Sequence, residues 1–328
     1  MTPPRPWRQV RSAAGVLLGA LLLWLAARGV AWSDVVAALR VARYDLVLAA
    51  VGCVLLATGL RAWCWRRLLA ATTVPVSFPS AWRILLVGQF INICVPLRAG
   101  DVARVYLMDK AGGVPITGSV TSLVLEKLFD VMSLLAIVLL MALLLELPTV
   151  LPSVRRGAIA VAVLVPLGVL VLLWRGTRLV ELLERRSRGK ADAWAAGLSR
   201  QLGTVLDGLT LIRRWQVLLI LQLSNLGVWL ALAGGNYAVL RALGIAAPAV
   251  AAIVLLVVLQ LGTSVPSTPG KFGVFQYLAV VALTPFGVAR EQALTYGVLL
   301  HLTGFGPIIV LGGLWWWLGS AARLRPPP

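Results

Sequence analysis

Within residues 83–130 an apolar stretch is interrupted by Asn92, Pro96, Arg98, Gly100, Asp101 and Arg104, and is followed by Glu126, Lys127 and Asp130. Charges beside bilayer-grade apolar runs are costly unless they pair or face a polar cavity, so the cluster is a candidate functional site. Arg98 and Arg104 offer planar donor forks suited to phosphate. Asp101 is placed to orient one of them, and Gly100 lets backbone approach a ligand closely. Glu126 and Asp130, four residues apart, share one helix face. They can pair with these arginines or with Lys127, or respond to protons or cations. The plainer reading is loop charges between two spans. A second centre lies near residues 260–275, where Pro266, Pro269, Gly270 and Gly273 break an apolar region. Ser264, Ser267, Thr268 and the amides around Gly270 can cradle an anion, with Lys271 as a point charge and helix N-termini at the breaks acting in the same sense. The competing reading is a tight turn with Lys271 at an interface. Gln222 and Asn225 either line the same cavity or bridge helices. His301 reads as a buried switch or as a packed helix residue.

These residues sit in a chain that is 60% hydrophobic and 13% charged over 328 residues, with a mean hydropathy of +0.91. Soluble domains carry about 25% charged residues. The chain therefore reads as an all-α, polytopic membrane protein, a single transmembrane domain over 1–328. Its net charge of +18, from 30 basic and 12 acidic residues, lies between apolar runs. That is the pattern of positive-inside bias and anionic headgroups, not of nucleic-acid binding. Three cysteines without CxxC spacing and one histidine favour neither a disulfide framework nor a metal site, and no cofactor is expected.

The elements that must position the two centres follow in order. Residues 10–27 predict a retained first helix running from inside to outside, and 28–45 a short polar link. Residues 46–60 predict a second span, ending at an interface signature of Arg61, Arg66, Arg67, Trp63 and Trp65. Residues 68–82 predict a surface-lying or partial element. Residues 83–97 have an apolar core of about a dozen residues, too short to cross at ~1.5 Å per residue. They predict a re-entrant hairpin from the cytoplasmic side that turns near 96–100 beside a cavity. Residues 119–146 predict a long helix and 157–174 a further span. Residues 175–214 carry nine bases against four acids and predict an amphipathic segment on the cytoplasmic face. A span over 215–233 follows, then a second broken hairpin from 249–261 and 274–284, entering from the outside. A last span over 291–318 ends in Trp315, Trp316 and Trp317. This makes about six full spans plus two re-entrant hairpins; eight spans would also leave both termini cytoplasmic. Broken helices in corresponding positions of two halves point to a transporter site where they meet.

The combination resembles the lysylphosphatidylglycerol synthase transmembrane-region family, also described as flippase-like membrane proteins. The resemblance rests on residues 61–67, on Gly88, Asn92, Pro96, Arg98, Gly100, Asp101 and Arg104, on Glu126, Lys127 and Asp130, and on Pro266, Ser267, Thr268, Pro269, Gly270 and Gly273. It departs at Asp101, where the family typically has Glu, and at Gln276, where it typically has an acid. The resemblance implies movement of an aminoacylated phospholipid, glycolipid or polyprenyl-linked lipid between leaflets, without the aminoacyltransferase domain of the fused members. A bacterial inner-membrane location fits an Ala-, Leu-, Arg- and Gly-rich chain. Protein partners left open are a second copy or a lipid-modifying enzyme. Two other functions compete: an intramembrane enzyme or accessory subunit of lipid-linked glycan or phospholipid modification, using Glu126, Asp130 or Asp101 as acids, and an anchor recruiting a partner through 175–214.

Overall fold

Proline sets the limits of several helices. In the computed structural model the described residues are 32–72, 75–95, 98–144, 215–262 and 269–323, with Trp24 and short pieces at 159–160, 162–165 and 167–168. The expected first span apart from Trp24, the 175–214 segment, most of the 157–174 span, and Ser264, Ser267 and Thr268 lie outside them. The helices are α1 (Trp32–Arg40), α2 (Tyr44–Thr72), α3 (Phe78–Cys94), α4 (Ala99–Gly112), α5 (Ile116–Leu144), α6 (Trp215–Ala242), α7 (Ala249–Gly262), α8 (Val274–Leu283) and α9 (Arg290–Arg323), with 3-10 turns at Pro269–Lys271 and Thr284–Phe286. Pro79 sits in the first turn of α3, where its missing N–H has no helical acceptor to lose. Pro96 follows the end of α3, and Pro115 immediately precedes α5.

Among the described residues, three helices have apolar stretches long enough to cross a bilayer: Tyr44–Ala70, Gln216–Ala242 and Arg290–Leu318. At 27 to 29 residues each they extend about 40 Å, beyond the ~30 Å hydrocarbon core. The protein is thus an all-α, multi-pass membrane protein with at least three long spans. The 14 residues of α7 rise only about 21 Å, and the 10 of α8 less.

Several expected boundaries shift. The second span does not stop at Leu60: α2 runs to Thr72, because no helix breaker intervenes before Pro75. Leu68 and Leu69 are consequently buried in α2 instead of lying on a surface. The link over 28–45 contains α1, whose Val35 enters the apolar core. The element expected over 83–97 begins earlier, at Phe78, and has 17 residues. The span expected to end at 233 continues to Ala242.

The described residues pack as two compact units. One draws on Met1–Gly59, Pro79–Leu107 and Val228–Pro328, the other on Leu60–Phe78 and Met108–Gly227. In the first, Val239 and Leu240 of α6, Leu255 of α7, Ala279 and Leu283 of α8 and Leu299 of α9 share a buried apolar cluster. Tyr296 donates to the Asn236 carbonyl at 3.0 Å, and Asn236 donates to the Ala252 carbonyl at 3.3 Å; both bonds satisfy polar groups that burial would otherwise penalise. Also in this unit, α3 meets α9 through Gly312, where an added Cβ would lie 2.5 Å from the Leu86 carbonyl oxygen. The Arg83 guanidinium lies 4.3 Å from the Trp315 ring centre, a cation–π contact. In the second unit, Cys64 and Leu68 of α2, Leu125 and Phe129 of α5 and Leu221 of α6 form the apolar cluster.

Candidate functional site

In the first unit the sequence from Asn92 to Arg104 folds into a clasp between α3 and α4. The Gly100 N–H, one of the amides an α-helix leaves without an internal acceptor, donates to Asn92 Oδ1 at 2.8 Å. Asn92 Nδ2 donates to Asp101 at 3.1 Å. Gly100 is required on steric grounds: a Cβ there would lie 1.8 Å from the Gly88 carbonyl oxygen and 2.8 Å from the Asn92 side chain. Gly88 in turn makes room for buried Arg104, whose Cγ would be 2.3 Å from an added Cβ. Asn92, Gly100 and Asp101 therefore hold the hairpin shut in this structure. Replacing Asn92 by alanine removes the acceptor of the Gly100 amide, and the expected loss is about 1 kcal/mol, as for a lost helix cap, read as a lower melting temperature in detergent.

Arg98 sits at the tip of this clasp, exposed, between the end of α3 and the start of α4. Its φ is 54°, and Lys271, in the 3-10 turn between α7 and α8, has a φ of 59°. These are the two non-glycine residues with positive φ among the described residues. A left-handed backbone costs such a residue roughly 1–2 kcal/mol, and strain of this kind gathers at ligand clamps. Burial, and then the nearby Arg98 guanidinium, pull the Lys271 ammonium down to about 8. Among the described residues neither cation has an ion-pair partner. Gly270, at φ 67°, and Gly273, at φ 83°, supply the rest of the turn.

Glu126, Lys127 and Asp130 belong to the second unit and form a different centre. Arg61 of α2 grips Asp130 with both guanidinium branches, Nη1 to Oδ2 at 3.1 Å and Nη2 to Oδ1 at 3.2 Å. It also lies 3.7 Å from Glu126. Lys127 is half exposed, 3.9 Å from both acids, so two cations balance two carboxylates. Asn225 donates to Asp130 at 3.4 Å and to Ser133 Oγ at 3.0 Å, and Gln222 donates to the same hydroxyl at 2.7 Å. Gln222 and Asn225 thus bridge helices here.

Arg61 and Trp65, both members of the expected interface signature, have partners inside this unit: Arg61 pairs with the carboxylates of α5 and Trp65 is fully buried. Their spacing carried the signal: Arg61, Cys64, Trp65 and Leu68 form an i, i+3, i+4, i+7 stripe, and the last three are buried. Ser119, Ser122, Glu126, Asp130 and Ser133 likewise make a buried polar stripe along α5. Trp65 donates to Ser122 at 3.0 Å on that stripe.

Comparison with known proteins adds a family. A model of the lysylphosphatidylglycerol synthase transmembrane region matches residues 12–312. The chain is similar to the UPF0104 membrane protein MJ1078 of Methanocaldococcus jannaschii, with 22% identity over 239 residues, 73% of this chain and 98% of that protein. It is also similar to the glycosyltransferase AglD of Haloferax volcanii, with 29% identity over 131 residues, 40% of this chain and 21% of that protein's length.

Proposed function

This chain belongs to the lysylphosphatidylglycerol synthase transmembrane-region family, and from that membership we propose that it moves an anionic lipid between membrane leaflets, holding the headgroup phosphate at Arg98 and Lys271. The observation that carries the proposal is the pair of strained cations within electrostatic reach of each other in one unit, each at a break between helices. A phosphate accepts hydrogen bonds from both groups and relieves the repulsion between them. Arg104, Gly270 and Gly273, together with Ser267 and Thr268, complete the proposed binding set, while the acyl chains stay in the bilayer. Asn92, Gly100 and Asp101 contribute by keeping the Arg98 tip in place. Glu126, Lys127 and Asp130 contribute a charged centre that links helices of the other unit. The substrate class is an aminoacylated, glycosylated or polyprenyl-linked anionic lipid. The short, broken helices act as re-entrant elements in a bacterial inner membrane with both termini cytoplasmic.

Proteoliposomes loaded with fluorescent phospholipid and polyprenyl-phosphate analogues test this reading. The protein should speed leaflet exchange above empty liposomes. Arg98→Ala and Lys271→Ala should each slow it roughly tenfold, since a hydrogen bond to a charged group contributes about 1.5–3 kcal/mol. No acceleration over empty liposomes defeats the proposal. Lys271 also sets a pH dependence. Its ammonium form binds the phosphate, so affinity is full below about 8 and falls as pH rises through that value; binding of a fluorescent lipid phosphate at a series of pH values reads this directly, and Lys271→Arg should flatten the curve.

The similarity to a glycosyltransferase over 131 residues favours one further reading, an accessory role in lipid-linked glycan chemistry. In that case the polyprenyl-phosphate analogue is retained by the purified protein but does not change leaflet.

A further inference from the structure

Lys271 is held in an unfavourable backbone conformation, and the turn around it is tied to α9 through two side chains. The Gly273 N–H lies 2.8 Å from Gln276 Oε1. A backbone amide can only donate, so the oxygen end of the Gln276 amide faces Gly273 and its NH2 faces away. That NH2 reaches His301 Nδ1, at 3.5 Å a long contact. Because the NH2 offers only hydrogens, this contact is a hydrogen bond when Nδ1 presents a bare lone pair and the ring proton sits on Nε2. Both side chains are buried. The imidazole stacks on Phe272 at 4.4 Å and packs against Phe275 at 5.1 Å and Phe305 at 4.6 Å. Among the described residues, the charged group near it is the cation Lys271. A second proton, on Nδ1, would point at the Gln276 NH2 amid aromatic walls and a neighbouring positive charge.

We propose that His301 is a positioning residue, kept as the neutral Nε2-protonated tautomer, and that through Gln276 and the Gly273 amide it fixes the turn that presents Lys271. The role rests on the reading that Lys271 receives an anion. Gln276 is the joint: one end of its amide fastens the first turn of α8, the other fastens α9. An acid at this position could accept from Gly273 but would have nothing to donate to Nδ1. It would instead draw a proton onto the imidazole and place a charge beside Lys271.

The chain has one histidine, so ¹⁵N-histidine labelling of the full chain in lipid nanodiscs yields one pair of ring-nitrogen signals. The expected spectrum shows unprotonated Nδ1 and protonated Nε2, unchanged from about pH 8 down to about pH 6, across the range where an ordinary histidine titrates. An imidazolium spectrum or the Nδ1–H tautomer at neutral pH overturns the proposal. In Gln276→Glu the same signals should become those of imidazolium near neutral pH; an unchanged neutral tautomer in that variant also overturns it. Acylation of Lys271 by an amine reagent, followed by mass spectrometry, reads the positioning itself. His301→Phe, which keeps an aromatic ring but no acceptor, should raise the Lys271 rate several-fold. His301→Asn, whose side-chain oxygen can stand near the Nδ1 position, should return it towards the unsubstituted rate. Equal rates in the unsubstituted protein and His301→Phe overturn the role. Neither the ring-nitrogen signals nor the acylation rate requires lipid movement. A failed leaflet-exchange assay with the expected spectra and rates would remove the lipid-movement reading and leave the positioning of Lys271 standing.

Discussion

Replacing Arg61 by methionine is expected to destabilise the unit formed by 60–78 and 108–227 by about 3–5 kcal/mol, the usual cost of removing one partner from a buried ion pair. The two-pronged grip on Asp130 disappears, and Glu126, only 3% exposed at its side chain, loses the guanidinium 3.7 Å away. Lys127 cannot take over, because its ammonium stands 3.9 Å from each acid and its side chain is 43% exposed. Methionine keeps most of the aliphatic volume, so the loss reports charge rather than packing. Thermal unfolding in detergent should show a marked drop in the melting temperature. The double variant Arg61→Met/Asp130→Asn should melt higher than Arg61→Met alone, since one stranded carboxylate has been neutralised. An Arg61→Met protein that melts with the unsubstituted one would refute the assignment of this network as a structural linchpin.

Gly100→Ala is expected to be the most damaging change in the other unit. Its methyl group would occupy a point 1.8 Å from the Gly88 carbonyl oxygen, less than the contact distance of any carbon and oxygen that are not bonded. The neighbour is backbone, so no rotamer change relieves the clash, and α3 and α4 must move apart. Separation breaks the Asn92 bonds to Gly100 and Asp101 and shifts Arg98, two residues away. The loss should exceed the 1–3 kcal/mol or so of ordinary overpacking. Leaflet exchange should fall along with stability. Gly304→Ala is the control, because a Cβ there meets nothing within 4 Å, and it should behave like the unsubstituted protein. A Gly100→Ala variant with normal melting and normal exchange would mean that the two helices are not clasped in this way.

Much of the candidate site was legible from residue type and local spacing. Glu126 and Asp130 were expected on one helix face, and both are buried on the same stripe of α5. Breaks were expected near residues 96–100 and 266–273, and the backbone leaves α-helical geometry at Arg98, Gly270, Lys271 and Gly273. Proline and glycine act locally, so their signals survive without knowledge of the neighbours. The roles were less legible. Asn92 and Asp101 look like ligand-binding groups in the sequence, yet each is the other's hydrogen-bond partner. His301 could be read two ways from one residue; its contacts with Phe275 and Gln276 come from α8, which begins 27 residues earlier in the chain.

Local, one-dimensional properties were determined by the sequence itself. Apolar content and run length require a membrane protein, because a bilayer admits long apolar helices and few unpaired charges. The helix-breaking residues place the two interruptions. Which charge meets which was decided only by the tertiary structure. Arg61 and Asp130 are 69 positions apart and Asn225 and Asp130 are 95 apart, and hydrophobic periodicity carries no information about pairing over such distances. A buried charge is held by whichever opposite charge the packing of helices brings alongside it, and that packing is a property of the folded chain.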